Sequence, residues 1–418
     1  MLQARLQPEA RILVLTHNRP LSGELRERFH RLCPGVNAEW TTFYQWCREF
    51  SGARWDIIKP WEREALIREL ARANPFTARL PQEFIGEEID WIRDQGIFTR
   101  QEYLTVARLG RKRPLQDEQR NTIFSLLVSY SRELKKRQLD DWVGAASSVW
   151  RKVEKGMISP PVYDSVLVDE AQFFAPTWLQ LVRRSVRRGT GQLFMAADPT
   201  QGFLKRRQSW TACGLNVRGH SARLLRCYRN TREILGFACG FYRSRVPADE
   251  EEINLPVPGE IAALQPGEAP QLLHVDSPQG ERARVASEIV AALRAGANPE
   301  HFLVLQSESA LVAPFIQALD RCYGKPIARD LRDYTTAASG RVKVSSLNAA
   351  TGLECAVVFL CGVDALLERE GDLHLDADQR SELVRDNTRR IYMGITRASQ
   401  KLLITYRRPA TRAILKAH

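Results

Sequence analysis

Val166-Leu167-Val168-Asp169-Glu170-Ala171-Gln172 is the stretch on which the reading of this chain turns. Three apolar residues, two of them β-branched, describe a buried strand that ends on two carboxylates followed by an amide. In an enzyme of phosphoryl transfer, this order places Asp169 beside a Mg2+ that bridges the phosphates. Glu170 then stands where it orients and deprotonates the attacking water, and Gln172 where it senses the terminal phosphate. The plain alternative is a solvated acidic turn after a strand, for which a bare Asp-Glu pair is enough. The surroundings decide between the two.

Working outward, Leu193 to Ala197 reads as the next strand, and Pro176 to Arg188 as a helix between the two, the pattern of a β-helix-β unit in a parallel sheet. Upstream, Arg11 to Thr16 is a strand that leads into a helix with apolar positions at Leu21, Leu25, Phe29 and Leu32. From about Trp61 to Trp150 the strand signal stops. Helical patterns at Phe84 to Ile97 and Asn121 to Leu139 flank the basic cluster Arg108, Arg111, Lys112 and Arg113. Downstream of a Pro/Gly/Glu-rich stretch from Pro247 to Pro270, five more strand-like runs follow: Gln271–Val275, Phe302–Leu305, Arg341–Val344, Ala356–Leu360 and Leu402–Thr405. The expected organisation is a first α/β domain in two parts, 1–75 and 159–227, a helical insertion over 76–158, and a second α/β domain over 228–418.

A chain of 418 residues is long enough for several cores, and 44% hydrophobic with 26% charged residues is an ordinary globular balance. No apolar run of membrane-spanning length and no charged-then-apolar leader at Met1 occurs, so a cytoplasmic location is expected and a membrane partner is not. The eight cysteines form no CxxC pair, which points to reduced, packed thiols rather than a metal site. The net charge of +12 favours a polyanionic partner, because lysine and arginine gain affinity by displacing counterions from phosphates.

The DEAQ string after an apolar strand resembles the second nucleotide-binding motif of superfamily-one helicases of the UvrD/Rep/PcrA type, and further segments follow in that family's order. Ile12 to Pro20 (ILVLTHNRP) resembles its first nucleic-acid-contacting motif, and Thr41-Thr42-Phe43-Tyr44 its TFH-type successor. Ala197 to Gln201 (ADPTQ) is similar to GDxxQ, and Leu225 to Asn230 (LRCYRN) to the NYR motif. Ser346 to Glu354 (SLNAATGLE) is similar to THSAKGLE, and Tyr392 to Ala398 (YMGITRA) to YVAITRA. The resemblance implies two RecA-like domains, of the P-loop NTPase type, that move along single-stranded or forked DNA, 3′ to 5′, with ATP and Mg2+. Phosphate tracking and base stacking serve RNA as well.

By the same resemblance Asp169 holds the metal. Asp169, Glu170, Gln172, Arg229 and Arg397 are catalytic, with Arg397 as an arginine finger, and Gln201, Gly352 and Glu354 join Asp169 and the two arginines around the nucleotide. Thr16, Asn18, Arg19, Thr42, Ser346 and Asn348 contact the nucleic acid. Single strands are held by aromatic platforms as well as by strand-end hydroxyls and amides, and Phe43, Tyr44, Phe203 and Trp210 are the candidates, each with an ordinary core role as its rival.

Three departures from the family stand out. No GxxxxGK[ST] occurs anywhere; Gly324-Lys325 is followed by Pro326 and lies in the second domain. Either another segment or a partner protein supplies the phosphate loop, or the chain is a helicase-like subunit that binds nucleic acid or a protein without turnover. Thr351 and Asn348 replace the lysine and histidine usual in their motif. Only about 115 residues separate Arg229 from Ser345, which leaves the large insertion of UvrD and Rep absent or reduced to Pro247–Pro270.

Overall fold

The computed structural model describes residues 9–16, 19–108, 111, 114–197, 210, 213–217, 219–222, 229–247, 255–332, 340–350, 352–373 and 377–416. It divides into two compact units. The first takes in most of the chain up to Ser221, and the second runs from Ala222 toward the carboxyl end together with residues 19–27. Each unit is built on its own sheet, and among the described residues every strand pairing in both is parallel.

β1 (Ile12–Thr16) of the first unit is followed by α1 (Arg19–Leu32), whose first part belongs to the second unit, and then by β2 (Glu39–Thr42) and α2 (Phe43–Ser51) of the first. A run without named strands comes next: α3 (Pro60–Ala71), α4 (Pro75–Ala78), α5 (Gln82–Asp94), α6 (Arg100–Thr105), α7 (Asp117–Lys136) and α8 (Trp142–Glu154). β3 (Ser165–Val168), α9 (Pro176–Ser185) and β4 (Gln192–Met195) then complete a sheet of order β2-β1-β3-β4. The helical run opens at Pro60, beside the Trp61 at which the strand signal stops, and Pro60 starts a helix well: its fixed φ suits a first turn and its missing N–H costs nothing there. The short β2 was not expected as a strand. Glu39-Trp40-Thr41-Thr42 becomes one because β1 offers it a register, Leu13 against Glu39 through Thr16 against Thr42.

Among the described residues two cores hold this unit. Leu13, Leu15, Val166 and Val168 from the central strands pack with Phe43, Trp46, Trp178, Leu179 and Leu181. Ile85, Ile89, Ile92, Tyr103, Ile123, Leu127 and Tyr130 form a separate core inside the helical run. Removing each such aliphatic side chain from water contributes about 1.5–3 kcal/mol. The basic cluster read from the sequence is partly interior. Arg108 and Arg111 both turn onto Glu88, which is fully buried, and Tyr103 donates to the same carboxylate at 2.6 Å.

The second unit contains α10 (Arg232–Arg243), α11 (Pro258–Ala262), β5 (Gln271–His274), α12 (Pro278–Arg294), β6 (Phe302–Gln306), α13 (Val312–Tyr323), β7 (Ala328–Asp330) and β8 (Val342–Ser346). β9 (Cys355–Cys361), α14 (Val363–Glu368), α15 (Ala377–Ile395), β10 (Ala398–Tyr406) and α16 (Pro409–Lys416) follow. The sheet order is β5-β10-β9-β6-β8-β7. Phe302, Val304, Val342, Val344, Phe359 and Cys361 pack with Val285, Ile289, Phe315 and Leu319 of the covering helices. Among the described residues no helix is long and apolar enough to cross a membrane. The described cysteines are unbridged and all but Cys322 are buried, and burial pushes the Cys213 thiol up to about 11.

Candidate functional site

The carboxyl ends of the first sheet gather one set of the candidate residues. Thr16 and Thr42 face each other in register at the ends of β1 and β2, and both are buried. Leu15 pairs with Val168 on the other side of β1, so Asp169 emerges beside Thr16. The Asp169 amide donates to the Leu15 carbonyl at 2.9 Å, and the Ala171 amide to Ala196 at 2.8 Å, which ties the turn to both neighbouring strands. Inside the turn the Glu170 amide donates to Asp169 Oδ1 at 3.0 Å, and Gln172 Nε2 donates to Glu170 Oε2.

Glu170 is held at φ 54°, ψ 43°, in the left-handed region, and among the described residues the other non-glycine there is Gln138. That conformation costs a residue with a Cβ of the order of 1 kcal/mol, and it persists where surrounding structure over-determines it. Two half-buried carboxylates on the end of a parallel strand, one of them strained and gripped by an amide, can bind a hard cation through oxygen and present a base to water. Among the described residues no group of three or more His, Cys, Asp or Glu side chains forms a closed metal cage.

The second unit gathers another set at the opposite, amino-terminal edge of its central strands. Glu354 immediately precedes β9 and Arg397 immediately precedes β10; the Cys355 amide donates to the Arg397 carbonyl at 2.9 Å. Arg229 Nε meets Glu354 Oε2 at 2.8 Å. Its neighbour Asn230 is buried and donates from Nδ2 to the carbonyls of Thr396, at 3.0 Å, and Ala398, at 2.6 Å. Three segments distant in sequence are thereby locked together. Gly352 takes φ +77°, the left-handed conformation that glycine adopts without a Cβ penalty, just before Glu354.

Arg397, the residue expected as an arginine finger, lies in the interior of its unit. Its side chain is fully buried, and its guanidinium donates to the Met393 carbonyl at 2.9 Å, the Leu353 carbonyl at 3.1 Å and the Thr396 hydroxyl at 3.3 Å. In this arrangement Arg397 positions the Glu354 and Arg229 segments, and the guanidinium with solvent access is that of Arg229, 36% exposed. Ser346 ends β8 on the carboxyl edge of the sheet, with Asn348 in the turn after it, so the nucleotide and nucleic-acid candidates of this unit occupy opposite edges.

The aromatic candidates divide. Phe43 is 2% exposed and lies face to face with Trp178, 4.3 Å between centroids and 10° between planes. The platform expected there is an interior ring, because its face is spent on the core. Tyr44 is half-buried beside it, and Trp210 packs against the same core from the loop side. Asn18, Gln201 and Phe203 lie outside the described residues, and Arg19 is described only by its place at the start of α1.

Sequence reading passed over Gln306 and Ser307. The connection from β6 runs by α13 to β7 at one end of the sheet, and that from β9 runs by α14 and α15 to β10 toward the other. The loops after β6 and β9 therefore diverge, which is where open parallel sheets form a crevice. Gln306 and Ser307 sit in it, 0% and 4% exposed, and among the described residues neither the Gln306 amide atoms nor the Ser307 hydroxyl has a hydrogen-bond partner. Gly362, opposite them, leaves room that a Cβ would fill at 2.6 Å from Ser307 Oγ. Buried polar atoms of this kind are ordinarily satisfied by ordered water or a ligand. The legible signal was the two polar residues that close the apolar run Phe302-Leu303-Val304-Leu305.

No protein-family profile matches the chain, and no curated protein matches it. Among solved structures it has a weak likeness to the C-terminal domain of a possible DNA helicase from Lactobacillus plantarum WCFS1. That likeness is at 16% identity and a TM-score of 0.32, over 46% of this chain and 95% of that one.

Proposed function

We propose that this chain is the core of a superfamily-one, UvrD-type helicase or translocase that acts on single-stranded nucleic acid. The observation that carries the reading is the turn Asp169-Glu170-Ala171-Gln172 on the carboxyl end of a central parallel strand, with Glu170 strained and the buried hydroxyls of Thr16 and Thr42 in the same row. The ordered series of motif-like segments and the net charge of +12 support it. Asp169 and Glu170 fit the metal half of a Mg2+-ATP site, as oxygen donors on one turn. The phosphate half is not matched within the sequence, which holds no glycine-rich loop with its lysine. ATP-driven, 3′-to-5′ movement accordingly depends on a phosphate loop from elsewhere.

A second reading is favoured by that missing loop together with the buried guanidinium of Arg397: a helicase-like subunit that grips nucleic acid and leaves turnover to a partner. Both readings require strand binding. Fluorescence anisotropy with single-stranded DNA, single-stranded RNA and duplex over a range of salt tests them together. Single strands are expected to bind more tightly than duplex, with affinity falling steeply as salt rises. Absence of binding to every nucleic acid at low salt would dismiss both.

A further inference from the structure

The end of β3 remote from Asp169 is strongly basic. The ends of α8 and α9 arrive there, and residues 151–157 and 183–188 together hold seven basic side chains and one acidic one. Contacts within the first unit fix both segments to the start of β3. Arg184 Nη2 donates to Glu154 Oε1 and its guanidinium lies over the Trp150 ring at 4.8 Å, so the end of α9 clasps the end of α8. The Tyr163 amide donates to the Ser185 carbonyl at 2.8 Å, and the Arg187 amide to the Tyr163 carbonyl at 2.9 Å. Arg187 Nε meets Asp164 Oδ1 at 2.6 Å, one residue before β3. The two carboxylates are each taken by one arginine, whereas Lys155, Arg183 and Arg188 are exposed and have no ion-pair partner among the described residues. With Asp164 counted, the patch keeps a net charge of +5, against +12 for the whole chain. Met157 and Val162 stand among these charges, 68% and 42% exposed.

We infer that this face is a docking surface for an acidic segment of a partner protein, one whose carboxylates sit beside aliphatic side chains. The inference is independent of the proposed function, whose candidate turn lies at the other end of β3. Charge complementarity sets the sign of the partner, because cations gathered on one face draw in an acidic surface and repel a basic one. Composition selects protein over nucleic acid. Five of the seven basic residues are arginine, the cation enriched in protein interfaces, where lysine is depleted. Met157 fits its unbranched side chain to whatever apolar group faces it, and with Val162 it offers contacts that a phosphate backbone does not complement. Neither basic segment holds an aromatic ring on which a base would stack.

The test is anisotropy of fluorescein-labelled probes with the full chain: a peptide of alternating glutamate and leucine, one of alternating glutamate and glycine, and duplex DNA. K155E/R188E reverses two of the unpaired charges, K155A/R188A removes them without adding new ones, and M157S removes an apolar point. R294E/R321E, which reverses two exposed arginines in the last turns of α12 and α13 of the second unit, is the control. The glutamate-leucine peptide should bind more tightly than the glutamate-glycine peptide, with affinity falling as salt rises. K155E/R188E should weaken it by about tenfold or more, K155A/R188A by about threefold and M157S by about fourfold, the worth of one buried methylene, while R294E/R321E leaves it unchanged. Duplex DNA should lose no more with K155E/R188E than with the control. The docking surface is overturned if the unaltered chain binds neither peptide, or if K155E/R188E and K155A/R188A bind the glutamate-leucine peptide no more weakly than R294E/R321E does. A loss of duplex affinity in K155E/R188E as large as its loss of peptide affinity would make the face a nucleic-acid surface and remove the protein partner.

Discussion

Arg229 and Glu354 are 125 residues apart in sequence, and their side chains meet through Nε and Oε2 at 2.8 Å. Both lie at the amino-terminal edge of β9 and β10, where the segments resembling three separate helicase motifs converge. About a third of each side chain is in contact with solvent, 36% and 34%, so the pair is screened and contributes at most about 1 kcal/mol to stability. Its use lies in pointing a cation outward. R229A and E354Q should each change the free energy of urea unfolding by less than about 1 kcal/mol. A loss above about 2 kcal/mol in both would make the pair a structural strut and remove Arg229 from the candidate site.

Asn230, next in sequence, should behave in the opposite way. Its amide serves two buried carbonyls, those of Thr396 and Ala398, and nothing in an alanine replaces the donors. N230A is expected to cost about 1–3 kcal/mol, since buried acceptors left without partners forfeit their desolvation energy. Unfolding by urea with an unchanged midpoint would show that water reaches the carbonyls.

Glu88 is a pH-dependent strut of the helical run. Burial alone would raise its carboxyl, but the hydrogen bond from Arg108, the charges of Arg111 and Arg108 and the Tyr103 hydroxyl outweigh it and hold the carboxyl below its ordinary value of 4.5. A depressed folded-state value means that the contribution is fully present above the unfolded value and is lost as pH falls through the folded one. E88Q should therefore destabilise by about 3–5 kcal/mol at neutral pH, because Arg108 and Arg111 both lose the buried Glu88 carboxylate and Arg111 keeps its contact with Glu87. The gap to the unaltered protein should narrow below the ordinary value of 4.5. Thermal unfolding from neutral to acid pH measures it, and a gap independent of pH would refute the assignment.

Nucleotide should be held weakly by this chain alone, with little or no hydrolysis whether or not single strands are present. Asp169 and Glu170 bring negative charge to the turn, and no GxxxxGK[ST] amides or lysine offset it against a triphosphate. Isothermal titration with Mg2+ and ATP, beside a phosphate-release assay, checks this. Tight binding with strand-stimulated turnover would mean that another part of the chain cradles the phosphates.

Much of this was local information. The apolar runs at Ile12–Thr16, Ser165–Val168 and Phe302–Gln306 are strands because period and β-branching favour that state wherever the residues end up. The turn at Asp169 could be named because its two carboxylates and amide are consecutive residues. Elements that lean on a neighbour were not legible. β2 and the three-residue β7 have little apolar pattern of their own and exist through pairing with β1 and β8.

The chain's own order of residues determined two α/β regions, a helical run between the parts of the first, and a carboxylate turn on a buried strand. Tertiary structure alone decided which arginine is available and which aromatic faces outward. Arg229 and Arg397 look alike in sequence, each inside a motif-like segment, but one guanidinium is a third exposed and the other is spent on the carbonyls of Met393 and Leu353. Phe43 and Trp142 likewise differ in nothing that spacing reveals. The first closes a core against Trp178 and the second stands at its outer end, because burial is set by what packs from elsewhere in the chain and not by the residue itself.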